Sequence, residues 1–405
     1  MPALPPPTSI ALQPAPLESL VIPSTLDGST GANRATDGRA QIAASNDLDA
    51  IRAWLSRFHD TKTTFESYRK EAERLLLWSL VMLGKPLSSL THEDCLRYQQ
   101  FLADPQPAAT WVAGGGRKHP RHDARWRPFY GALAPASQRQ AIVILNALFS
   151  WLVQAGYLAG NPLSLSRQRT KHAAPRITRY LEPTLWQEVK DTISTLPCDT
   201  DRTRAHAYRV RWLFTLLYLG GLRIAEVGTN TMGQFFVRRD ADGALRWWLT
   251  VRGKGGKERL VPATREMMME LSRYRQQLGL SALPSPNEET PLVMPIGAAA
   301  ANDRAQTCAP LTRAGLHAIV KDVFAKAAAR LRARDGASAR ADLLEKASAH
   351  WLRHSAGSHM ADQKVDLRLV RDNLGHASLT TTSLYLHIDD DRRHRETEDK
   401  HRIDW

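Results

Sequence analysis

The chain has 405 residues, 43% of them hydrophobic, which is enough for two domains with packed cores and excludes a wholly disordered polymer. Its formal net charge of +14 points to a polyanionic partner, a nucleic acid or an anionic membrane. The membrane is disfavoured because no run approaches the roughly 18 to 20 apolar residues that span a bilayer, and the proline-rich Met1–Pro7 does not read as a signal peptide.

Cys95, Cys198 and Cys308 lie far apart and form no CxxC pair. Neither a cysteine-built zinc site nor a disulfide framework is expected, and a reducing cytoplasm fits. Residues 1–45, rich in Pro, Ser, Thr, Gly and Ala, read as a disordered tail. From Asn46, Leu48, Ile51, Trp54 and Leu55 recur at helical spacing. A second helix is predicted over Thr63–Leu83, with Phe65, Tyr68, Ala72, Leu75 and Leu76 inward and Gly84 and Pro86 as its stop. Thr91 and Asp94 resemble a capping box for a helix through Leu102. A fourth helix covers Ser137–Ala155. Together these make an all-α domain over 46–163.

The stretch 105–135 interrupts it. It holds Gly114-Gly115-Gly116 among Arg117, Lys118, Arg121, Arg125 and Arg127, with Trp111, Trp126, Phe129 and Tyr130 interleaved. It reads as a basic insertion, either solvated or ordered on DNA phosphates, with Arg117, Lys118 and Arg121 as candidate contacts. Residues 164–180 read as a basic linker, whose Arg167, Arg169 and Lys171 are further candidates and which also carries Arg176 and Arg179. The helical period resumes at Leu181. Between Leu245 and Pro262 it gives way to alternation at Trp247, Leu249 and Val251, then a turn at Gly255-Gly256, which predicts a β-hairpin. Residues 281–289 and 330–345 read as surface insertions, and 391–405 as a charged tail.

Five stretches carry polar residues that a core does not need: Gly220-Gly221-Leu222-Arg223-Ile224-Ala225-Glu226, Gly253-Lys254-Gly255-Gly256-Lys257-Glu258-Arg259, His350-Trp351-Leu352-Arg353-His354-Ser355, Leu374-Gly375-His376, and a segment ending Leu384-Tyr385-Leu386-His387. Two arginines can clamp the oxygens of a phosphodiester, histidines can donate to them, a lysine can protonate a leaving oxygen and a tyrosine can attack phosphorus. His350 and Arg353 lie three apart and share a face if helical. Each residue alone has a plainer reading. Arg223 could be a surface charge, His350 a buried core histidine and Lys254 a turn ornament rivalled by Lys257. Glu226 reads as structural, and His354 and His387 as packing groups.

In this order and spacing the five stretches resemble the tyrosine recombinases, or phage integrase family, strongly over about 180–390 and more loosely over 46–160. The resemblance implies a mainly α fold with a small antiparallel β-sheet: a helical core-binding (SAM-like) domain followed, over 181–390, by a tyrosine-recombinase catalytic domain. It implies a site-specific recombinase or integrase, expected to belong to a mobile element. Tyr385 would be the nucleophile, forming a 3′-phosphotyrosine. Arg223 and Arg353 would clamp the phosphate, Lys254 would be the general acid, and His350 and His376 would complete the cradle. The partner would be double-stranded DNA, two sites held by a homo-tetramer, with a second recombinase an open possibility. Neither metal nor other cofactor is expected, since the bond energy is kept in the phosphotyrosine. A type IB-like topoisomerase or a catalytically inactive DNA-binding protein are the competing readings.

Overall fold

A computed structural model describes residues 13–36, 40–116, 119–165, 179–296, 309–336 and 338–375. The chain divides between Lys171 and His172 into two compact units, each with its own hydrophobic core.

The first unit contains α1 (Asp47–Ser56), α2 (Lys62–Leu83), α3 (His92–Ala103), a single turn α4 (Ala108–Trp111) and α5 (Pro135–Gln154). Local signals set the boundaries. Asn46 caps α1 by accepting the Asp49 N–H, Gly84 closes α2 in the left-handed region at φ 59°, and Thr91 and Asp94 form the capping box of α3. The first three helices pack on α5, burying Trp54, Leu76, Leu102, Leu145, Leu148 and Phe149.

Two expectations are corrected here. The presumed tail is anchored to the core of the first unit at several described residues. Leu17 and Leu20 are buried in the core, the Leu17 N–H donates to Glu73 at 2.9 Å, and Asn33 exchanges hydrogen bonds with the Gly160 backbone. Two leucines and a handful of backbone bonds suffice to hold a segment without a helix, and such a segment carries no period. The stretch 105–135 is likewise no solvated loop. Trp111 and Phe129 are fully buried and Trp126 nearly so. Their backbones pair, Ala113 N–H to Phe129 C=O and Phe129 N–H to Trp111 C=O. Arg74 caps this layer from α2, donating to Pro128 C=O at 2.9 Å with its guanidinium 4.3 Å over the Phe129 ring.

The second unit runs α6 (Pro183–Ser194), α7 (Asp201–Tyr218), α8 (Ile224–Thr229), β1 (Phe235–Arg239), β2 (Leu245–Arg252), β3 (Glu258–Pro262), α9 (Arg265–Gln277), α10 (Arg313–Asp335), α11 (Ala339–Lys346), α12 (Ala349–Asp362) and α13 (Leu367–Leu374). The sheet is antiparallel in the order β1-β2-β3. Leu249 pairs with Phe235 on one side and Val261 on the other. All three are buried, so this row joins the sheet to the core around Trp212, Leu213, Leu216 and Leu217 of α7. The predicted hairpin is β2-β3, and β1 extends it.

The two segments read as surface insertions are largely exposed over their described residues, and each is tied to the core. Residues 330–335 belong to α10 and 339–345 to α11; these stretches bury Leu331, Ala341 and Leu344 and join outside through Arg332 and Asp342 at 2.8 Å. The 281–289 loop is tied to the buried Arg275, whose guanidinium reaches Glu288 at 2.7 Å and Ser281 C=O at 2.7 Å. Among the described residues no helix is long and apolar enough to cross a membrane.

Candidate active site

The site is built where α8, the β2-β3 turn, α12 and the end of α13 meet within the second unit. His350 and Arg353 both lie on α12, where a spacing of three puts them on one face. Arg353 is buried. Its two terminal nitrogens donate to the main-chain carbonyls of Gly221 and Leu374. Gly221 stands at φ +55°, and a Cβ there would lie 2.6 Å from Leu374 Cδ2. Glycine is required twice over: by the left-handed backbone and by the close approach of α13.

That glycine turn delivers the chain to α8, whose N-cap is Arg223. Glu226, buried one turn later, gathers the neighbourhood. It accepts from the Arg223 N–H and from Arg223 Nη1, each at 2.8 Å. It also accepts from both Nη atoms of Arg259 on β3, again at 2.8 Å each. Burial pushes the Glu226 carboxyl up, but the Arg259 guanidinium, then Arg223, more than offset this and hold it at about 2. It is therefore ionised at any working pH. The Arg223 side chain keeps 45% of its surface exposed and so has nitrogens to spare.

The hairpin is pinned to the same place. Asn230, buried at the end of α8, donates to Glu226 C=O at 2.7 Å and accepts the Arg252 N–H at 2.9 Å. The turn closes through Gly253 N–H to Lys257 C=O at 2.8 Å, with Gly255 and Gly256 at φ +74° and +72°. Lys254 begins that turn, one residue after a glycine whose added Cβ would lie 3.4 Å from Glu226 Oε1.

The His350 ring lies edge-on to His354 with centroids 4.2 Å apart. Removal from water, then the charges of Arg353, Arg223 and Arg179, hold its imidazole below the ordinary histidine value. It is neutral at pH 7, a hydrogen-bonding group among three cations. Such a group of charges on side chains from three segments is suited to an anion with several oxygens.

Arg179 reaches this field because α12 fixes the strand of chain leading into α6. Ser355 Oγ accepts the Leu181 N–H at 2.8 Å. His359 Nε2 lies 2.9 Å from Leu181 C=O, and a carbonyl only accepts, so the proton sits on Nε2. Nδ1 then accepts from Tyr218 Oη at 2.8 Å.

Thus Arg223, His350 and Arg353, expected from sequence to share a site, do so, with the Lys254 turn beside them. His376 and Tyr385 lie outside the described residues, as do Arg117, Lys118, Arg167, Arg169 and Lys171. Arg121 belongs to the first unit and is otherwise engaged: its guanidinium is bound by Glu18 at 2.6 Å and by Glu73. Two carboxylates already neutralise it, so the structure gives it a task inside the protein rather than on a phosphate. Sequence reading gave no role to Arg259, although its place on the inward face of the hairpin was a usable signal, and none in the site to Arg179. Among the described residues no group of three His, Cys, Asp or Glu could hold a metal ion.

Comparison with known proteins agrees with this geometry. Residues 189–392 match the family model described as the phage integrase family. The tyrosine recombinase XerD of Neisseria meningitidis serogroup B (strain ATCC BAA-335 / MC58) is 30% identical over 336 residues, 83% of this chain and 90% of that protein. The tyrosine recombinase XerC of Xanthomonas campestris pv. campestris (strain B100) is 24% identical over 91% of this chain and 92% of its own length. In fold the chain is similar to the Tn1549 transposon integrase solved with transposon right end DNA, at a TM-score of 0.55 and 15% identity over 87% of this chain and 98% of the other. It is also similar to the XerH recombinase bound to its difH substrate, at a TM-score of 0.52 and 17% identity over 89% and 90%.

Proposed function

Because the chain belongs to the phage integrase family of tyrosine recombinases, site-specific enzymes that cleave and rejoin DNA, we propose that it cuts double-stranded DNA through a 3′-phosphotyrosine on Tyr385. The phenol oxygen of Tyr385 attacks the scissile phosphorus and the bond to the 5′ oxygen breaks. Lys254 gives a proton to that oxygen. Arg223 and Arg353 neutralise the non-bridging oxygens, and His350 and His376 hydrogen-bond to them and take up the phenol proton. A free tyrosine has a pKa of about 10, so only about a thousandth is phenolate at pH 7; a cationic pocket stabilises the attacking anion. The bond energy stays in the phosphotyrosine, and rejoining is the same step reversed on a new 5′ hydroxyl.

The observation that carries this reading is that Arg353, on the helix that also bears His350, holds the Gly221 carbonyl of the turn presenting Arg223, while the nearby carboxylate of Glu226 is consumed by arginines. We further propose that four copies act on two DNA sites, in the cytoplasm, and that the charged segment after Tyr385, ending in Ile403 and Trp405, packs on a neighbouring copy. A mobile element is the proposed setting, which phage or transposon genes beside its own would support.

The test uses a site recovered by selecting random duplexes with the wild-type protein, rebuilt as a nicked suicide substrate. The wild type should form a covalent adduct. Tyr385→Phe should form none and still bind the duplex. A wild type that binds its site and never forms the adduct ends the proposal.

A further inference from the structure

We infer that Arg259 is a positioning residue for DNA cleavage, a brace that locks the lysine-bearing hairpin to the turn presenting Arg223 and to the glycine turn preceding His376. The inference rests on the reading that Arg223, Lys254 and His376 serve cleavage.

Arg259 leaves β3 and meets two other segments at once, α8 and the end of α13. Its two terminal nitrogens take both oxygens of Glu226 at 2.8 Å each. Its Nε donates to Asn373 C=O at 3.2 Å, in the last turn of α13. Its stem lies against Gly375, where an added Cβ would come within 2.6 Å of Arg259 Cδ. All three of its guanidinium nitrogens are engaged by Glu226 and Asn373, so it acts through its neighbours rather than on DNA.

The fork matters for Arg223. A buried carboxylate facing a single guanidinium favours a bidentate pair. Here Arg259 supplies two donors from the far side, and Arg223 contributes only Nη1 and its backbone N–H. The rest of the Arg223 guanidinium is thereby released toward solvent, where a phosphate can meet it. Removing Arg259 would let Glu226 draw Arg223 inward, free the hairpin from α13, and raise the pH at which Glu226 protonates. A lysine could keep the charge but not the fork or the third hydrogen bond.

The experiment compares full-length wild type, Arg259→Gln and Arg259→Lys on the suicide duplex described above. Duplex affinity and single-turnover adduct formation are followed between pH 5 and 9. Arg259→Gln should bind within about threefold of wild type yet form the adduct roughly a hundredfold slower, as expected for a displaced catalytic group. Its rate should fall further toward pH 5 than that of the wild type, and Arg259→Lys should remove this extra acid limb while remaining slow. The limb should disappear when Glu226→Gln is added to Arg259→Gln, because no carboxyl is then left to titrate. Wild-type cleavage rates in both variants, or a loss of equal size in binding and cleavage with an unchanged pH profile, would overturn the inference. Should Arg259→Gln fail to fold, Arg259→Lys decides alone: slow cleavage with intact binding supports the brace, and wild-type cleavage overturns it. A wild type without adduct would instead strike the proposed reaction itself.

Discussion

Replacing Glu226 by glutamine keeps its shape and removes its charge, which isolates what the carboxylate does for the fold. Two guanidinium groups and a backbone N–H converge on it, and together they bring it from an ordinary 4.5 to about 2 against the cost of burial. Each tenfold change in proton affinity is about 1.4 kcal/mol, so the ionised carboxylate contributes on the order of 3 kcal/mol to the catalytic unit at pH 7. Because the value is depressed in the folded protein, that contribution is complete above about pH 4.5 and fades as the pH falls toward 2. At pH 3 roughly half of it should remain. Equilibrium urea unfolding, followed by tryptophan fluorescence with a transition for each unit, reads both values. The glutamine variant should be less stable than the wild type by about 3 kcal/mol at pH 7 and by about half that at pH 3. A deficit below about 1 kcal/mol at pH 7, the range of an exposed pair, would refute the reasoning. So would a deficit that stays constant with pH.

Two other expectations follow from the geometry. Trp111→Ala should cost about 3 to 5 kcal/mol in the first unit, as for a fully buried aromatic, whereas a solvated loop would lose almost nothing; urea unfolding again decides. His350 is held below its ordinary value by removal from water and then by neighbouring cations, and a phosphate would offset the second of these. DNA binding should therefore take up protons, and tighten, as the pH falls from neutral into the acid range. Calorimetry in buffers of differing ionisation heat should show part of that uptake lost in His350→Asn, and an identical uptake in the variant would dismiss the idea.

The parts of this protein that were legible from sequence are those whose signals are local. The hairpin could be read because Trp247, Leu249 and Val251 alternate into a glycine turn. Arg223, His350 and Arg353 could be grouped because each sits in a short box with its own punctuation. β1 was missed because Phe235 is its one buried residue and the strand ends in two exposed arginines, which leaves no alternation. α10 and α11 were not delimited between residues 330 and 345 because few of the described residues there turn inward, namely Leu331, Ala341 and Leu344, amid charges paired outside. The N-terminal segment and the 105–135 layer defeated composition altogether. Their order comes from partners more than fifty residues away, such as Glu73 beneath Leu17 and Arg74 over Phe129. Arg259 was passed over for the same reason, since its importance lies in Glu226 and Asn373.

Arg353 ends on two main-chain oxygens rather than on carboxylates. No point substitution at Gly221 or Leu374 deletes an acceptor that every residue carries. Libraries meant to retarget the enzyme can thus vary neighbouring side chains without deleting either acceptor, provided Gly221 and the chain length through these two turns are conserved. Inserting one residue into either would shift that turn's acceptor by about 3.5 Å and break its hydrogen bond to the buried guanidinium.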